Sequence, residues 1–149
     1  MDKTIDAHVN AHGDLKATVE LLMTMRGCGR ILALTLITEL PELGTLDRRQ
    51  IAAPCGGRGD PAAPRGVGLA PVARDSGLGE NQRVIKGGRG QVRNVAYMAT
   101  VSAIRAKDNP FEARYQAIIA SGKPKMLAIV AVMRTMIVTL NAMVRDNKP

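Results

Sequence analysis

The middle of this 149-residue chain lacks the side chains that a packed interior needs. Residues 54–68 contain five Gly and three Pro beside Arg58 and Arg65. Glycine leaves the backbone unrestrained and proline removes a donor, so neither helix nor sheet can propagate through them. A stretch this long without structure of its own inside a small domain is expected to be functional or unstructured, and it reads as a mobile, insertion-like loop. Residues 69–90 follow with no clear period, and Val84 and Ile85 offer at most a scrap of strand. The chain therefore divides into two structured blocks around a long loop. Its length allows one compact domain plus an arm. The expected layout is a helical arm over 1–25 and one domain over 26–149.

Both blocks have helical spacing. Ile5, Val9, Leu15, Val19 and Leu22 fall near one face of residues 3–25, with Gly13 weakening the middle and Asp14 placed to restart the helix as a cap. The segment Arg26-Gly27-Cys28-Gly29-Arg30 predicts a tight turn. Residues 31–40 predict an apolar helix that Pro41 ends, because the residue before a proline avoids helical geometry. Asp47 is placed to cap a short helix over 48–53. After the loop, residues 91–107 predict a helix turning Val92, Val95, Ala96, Ala99, Val101 and Ile104 inward. Asn109-Pro110 gives a cap and a first-turn proline, and Gly122 stops the helix that they begin. Pro124 opens a last helix over 125–145, with Leu127, Val130, Ala131, Ile137, Leu140 and Met143 on its apolar face. The fold class is mainly α: a compact bundle of about five or six helices with a helix-hairpin-helix-like turn and a Gly/Pro-rich central loop.

Composition narrows the partners. The net charge is +8 and the pI about 10.1, so the surface attracts polyanions, nucleic acid first among them. Aromatic side chains are confined to Tyr97, Phe111 and Tyr115, which argues against stacking platforms for bases and favours phosphate contacts from Arg and Lys. Cys28 and Cys55 have no Cys or His near them, so no zinc pattern exists, and reduced cytosolic thiols are expected. The N-terminus is polar and charged, unlike a signal peptide. The apolar run 126–133 is too short to span a bilayer and reads as buried helix. A cytoplasmic protein without membrane contact is expected.

Three features could carry chemistry. The first is the glycine turn, where Gly27 and Gly29 would let backbone approach a phosphate at a helix start, with Arg26 and Arg30 adding charge. It serves equally as a plain helix connection. The second is the Gly-rich basic stretch around Ser76. Serine is a weak nucleophile unless activated; Arg74, Arg83, Lys86 and Arg89 could hold a phosphate and offset charge building on it. A lone serine in such a stretch is otherwise a turn residue. The third is the basic series Arg89, Arg93, Arg105, Lys107, Lys123, Lys125 and Arg134, read either as solvated helix faces or as contacts along a duplex. His8 and His12 have metal-compatible spacing but no third ligand, and no trio of carboxylates stands out, so no metal site is expected.

Several stretches together resemble one family. They are Met25-Arg26-Gly27-Cys28-Gly29, residues 36–44, residues 49–53, Gly68-Leu69-Ala70-Pro71 with Arg74-Asp75-Ser76-Gly77, and then Gly87-Gly88-Arg89, Val92-Arg93, residues 97–99, 122–125 and 140–143. In this order they are similar to the C-terminal transposase domain of the bridge-RNA-guided, DEDD-type insertion-sequence transposases (the IS-one-ten group). The resemblance implies a serine nucleophile, carried over to Ser76, that forms a covalent phosphoserine link to cut DNA. It also implies a composite site completed by a resolvase-like domain whose acidic residues bind divalent metal, acting in an oligomer on DNA held by a structured guide RNA. No cofactor is expected in this chain itself. Three departures stand out. No counterpart of the resolvase-like domain precedes the helical arm. Arg26 and Arg30 replace the two prolines usual around the turn, and the stretch after Ala53 interrupts what is normally a nearly direct run into Gly68. A chain of this kind is expected not to complete transposition alone. Two other readings stay open: a non-catalytic nucleic-acid-binding module, and a regulatory interaction fragment that pairs with itself or with a full-length transposase.

Overall fold

A computed structural model describes residues 12–52, 67–69 and 89–149. Helix makes up 71% of them and strand none, in six helices. These are α1 (Gly13–Met23), α2 (Arg30–Glu39), α3 (Arg48–Ala52), α4 (Gly90–Arg105), α5 (Pro110–Ala120) and α6 (Lys125–Asp146). Residues 3–11 of the expected arm, most of the central loop and the Val84-Ile85 pair lie outside the described residues.

The helix ends follow from local chemistry. Leu40 leaves helical geometry at φ −126° and ψ 70°, just ahead of Pro41. Asp47 Oδ1 accepts from the amides of Arg49 and Gln50 at 2.7 and 2.6 Å, while Gln50 Oε1 accepts from the Asp47 amide at 2.8 Å. That reciprocal pair is a capping box, and it explains how a five-residue helix holds its start. Asn109 caps α5 by accepting from the Phe111 amide at 3.1 Å, and its Nδ2 donates to the Ala103 carbonyl at 3.1 Å, so one side chain closes α4 and opens α5. Gly122 ends that hairpin arm at φ +79°. One expected cap is corrected: α1 starts at Gly13 after His12, and Asp14 sits in its first turn, where its charge suits the helix dipole without a capping bond.

Helix α6 is the axis of the bundle: α1, α3, α4 and α5 all pack on it, and α2 joins through α1 and α4. Its buried line is Ala128, Val132, Met133, Met136, Ile137, Leu140 and Met143. This corrects the expected face at its start, because Leu127 is 50% and Met126 59% exposed. Asn141, a polar residue, is buried on the same helix. Its Nδ2 donates to the Leu46 carbonyl at 2.8 Å and its Oδ1 accepts from the Gly44 amide at 2.7 Å. By length and composition α6 is also long and apolar enough to cross a membrane, with a mean hydropathy of 2.0 over its most apolar window, so the short run 126–133 understated its extent. Here it is the element on which four helices pack.

The inner face of α4 is corrected in the same way. Val92, Ala96, Thr100 and Ala103 are buried, whereas Val101 is half-buried and outside the core. Thr100 tolerates burial because its hydroxyl donates to the Ala96 carbonyl at 2.7 Å. A second correction concerns the central loop, expected to offer almost nothing to bury up to Gly68. Val67 is fully buried and Leu69 2% exposed, both within the core.

Candidate nucleic-acid interface

Two of the sequence-derived site regions are described. The first is the turn between α1 and α2. Gly27 takes φ +92°, a conformation that disfavours a side chain, and a Cβ placed on it would overlap Cβ of Ala103. The turn therefore lies directly on the last turns of α4. Gly29 differs: it precedes α2 at φ −83° and ψ 168°, and a Cβ there would meet nothing within 4 Å. The fold gives a reason for glycine at 27 and none at 29. Between them Cys28 is buried, and burial pushes its thiol up from 9.0 to about 11, so it stays protonated and unreactive at neutral pH. Arg26 and Arg30 are both exposed, and Arg26 Nη1 reaches the Asp108 carbonyl at 3.4 Å, in the turn between α4 and α5.

The second region is the entry to α4. Arg89 precedes the helix and pairs with Glu42 at 2.7 Å, each side chain about one-fifth exposed (20% and 21%). Neither Arg89 Nη1 nor Glu42 Oε1 has a hydrogen-bond partner among the described residues, so the pair is a close charge contact and not a well-directed bond. One turn further on, Arg93 Nη1 donates to the Gly68 carbonyl at 3.4 Å. Arg89 and Arg93, read from sequence as phosphate ligands, thus make intramolecular contacts: one holds α4 to the α2–α3 connection, the other to the buried segment 67–69. Arg134 likewise reaches the Arg48 carbonyl at 3.4 Å.

Ser76, Arg74, Arg83 and Lys86 lie outside the described residues. Their segment is entered from buried Leu69 and left at Arg89, two points fixed to the same core. His12 is exposed at the start of α1, and His8 lies outside the described residues. Among the described residues no three His, Cys, Asp or Glu side chains come together as metal ligands.

Sequence reasoning missed Glu42, Asp108 and Asn141. Each acts through a partner remote in the chain, and only Asn141 left a trace, as a lone amide inside an apolar period. Arg26 with Asp108 and Glu42 with Arg89 have no local signature at all.

The model of the Transposase IS116/IS110/IS902 family matches residues 65–116. The match begins just before Val67, takes in Ser76 with Arg74, Arg83, Lys86, Arg89 and Arg93, covers all of α4 and ends within α5. It supports a likeness of this part of the chain to insertion-sequence transposases. The glycine turn lies outside the matched residues. No curated protein matches the chain.

Proposed function

We propose that this chain is the DNA-handling part of an insertion-sequence transposase and that Ser76 is its nucleophile. The observation that carries this reading is the family match over 65–116, which contains Ser76 and its cationic neighbours. The net charge of +8 suits a polyanionic substrate. In the proposed step the Ser76 hydroxyl attacks a backbone phosphorus. A phosphoserine ester forms, the bond from phosphorus to one deoxyribose oxygen breaks, and that oxygen takes up a proton. Rejoining is the reverse with an incoming deoxyribose hydroxyl, which releases Ser76. Arg74, Arg83 and Lys86 offset the charge that builds on the phosphoryl oxygens, and Arg93 lies at the same end of α4. Arg89 acts by positioning: its pairing with Glu42 fixes the end of the segment that bears Ser76.

The described residues do not fit a divalent metal site, so no step is routed through one. On this reading metal-binding carboxylates come from a partner domain, supplied by a full-length transposase or another copy, with a structured guide RNA holding the DNA. The chain alone then performs little strand transfer, and it works in the cytoplasm with Cys28 reduced.

A second reading rests on the α1–α2 turn. Gly29 has no intramolecular reason to be glycine, which suits a backbone that a phosphate approaches, as in a non-catalytic helix-hairpin-helix-type module. Binding of the chain to duplex DNA across a salt series tests what the two readings share. A steep linear fall of log affinity with log salt is expected, with Ser76→Ala binding as wild type. Absent or salt-insensitive binding overturns both and leaves a regulatory interaction fragment.

A further inference from the structure

We propose that the α1–α2 turn and the α4–α5 turn form one cationic surface, Arg26, Arg30, Arg105 and Lys107, that grips the phosphate backbone of duplex DNA. This rests on the DNA-handling reading above and assigns it a place on the molecule.

The two turns are far apart in sequence and meet because of Gly27. With no side chain there, the backbone of the first turn settles against α4, where a Cβ on Gly27 would overlap Ala103 and lie 3.4 Å from the Ala99 carbonyl oxygen. Arg26 then reaches across to the Asp108 carbonyl at 3.4 Å. Arg105 ends α4 two residues beyond Ala103, and Lys107 lies between it and Asp108. All four cationic side chains are exposed. The acids nearby are Asp108 and Glu112, so the cations outnumber them. The rest of the basic series is placed elsewhere: Arg89 and Arg93 lie at the opposite end of α4 from Arg105, Arg134 lies in α6 and reaches the Arg48 carbonyl, and Lys123 and Lys125 lie beyond the far end of α5, about 16 Å away for eleven residues of helix.

The base under this surface is buried and hydrogen-bonded. Cys28 is 5% and Asn109 4% exposed, and Asn109 ties the end of α4 to the start of α5 through Ala103 and Phe111. A surface fixed in this way presents its charges without first ordering the backbone that carries them. No aromatic side chain lies in either turn, so the chemistry it offers is charge and hydrogen bonding to phosphate oxygens, not stacking on bases.

The test is fluorescence anisotropy of labelled duplex DNA over a salt series. Wild type is compared with Arg26→Gln/Arg30→Gln, Arg105→Gln/Lys107→Gln, and Lys123→Gln/Lys125→Gln as the remote pair, each checked for folding by thermal melting. Each engaged cation contributes roughly one to the slope of log affinity against log salt. Both turn pairs are expected to flatten that slope by about 2, and the remote pair to leave it unchanged. A flattening by Arg26→Gln/Arg30→Gln alone overturns the joint surface while the DNA-handling reading stands. Equal flattening by the remote pair overturns it too, because the charge is then diffuse. Binding to duplex RNA but not DNA in the same series overturns the choice of partner. Failure of the wild type to bind any duplex overturns the function itself.

Discussion

At the scale of the residue, Gly27 and Gly29 look equivalent in sequence and do different work. Gly27 is fixed by the fold twice over, by its positive φ and by Ala103 beneath it. Gly27→Ala should cost about 1–2 kcal/mol from the backbone alone, with more from the overlap. In the pair Gly27→Ala/Ala103→Gly the total should fall below the sum of the single costs, since the overlap is then relieved. Gly29→Ala should cost less than about 1 kcal/mol, the difference between glycine and alanine at a helix start. Urea unfolding of the wild type and the four variants, Ala103→Gly alone included, checks this, and equal costs at 27 and 29 would refute the asymmetry. The requirement for glycine was legible in the sequence. Which glycine the fold demands was not, because Ala103 approaches from another helix.

At the scale of the element, what the sequence disclosed was whatever is decided locally. Pro41, Asp47 with Gln50, Asn109 with Pro110, and Gly122 each set a helix end through bonds within a few residues, and the structure has those ends where the residues place them. The inner faces of α4 and α6 were read less well. Thr100 and Asn141 are polar residues that belong inside, and a period built from apolar residues alone steps around them. Thr100 is satisfied one turn away in its own helix, but Asn141 is satisfied by Gly44 and Leu46, far back in the chain. Asn141→Leu keeps the branching but strands a buried amide and a buried carbonyl, so it should destabilise the protein by about 2–4 kcal/mol. A loss of unfolding free energy below about 1 kcal/mol in urea would mean that the α2–α3 connection does not depend on α6.

At the scale of the whole molecule, the two ends of the segment that bears Ser76 are fastened to one core, through Val67 and Leu69 at one end and Arg89 with Glu42 at the other. The helices on either side of the central stretch were legible from their spacing. The fastening was not, because a charge pair between residues 42 and 89 leaves no periodic trace in either segment. The same holds for the meeting of the two basic turns. The cations themselves could be read from sequence, but which of them share a surface depends on how the two turns meet.

The proposed reaction depends on the chemistry of Ser76. The direct measurement is covalent capture: labelled duplex carrying the ends of the element, incubated with this chain and a full-length family transposase in trans, then denatured and separated. The account predicts label bound to this chain, mapped by mass spectrometry to a phosphoester on Ser76, kept in Ser102→Ala and lost in Ser76→Ala. Capture that survives Ser76→Ala, or no capture on this chain while the full-length partner cuts the same DNA, would contradict it.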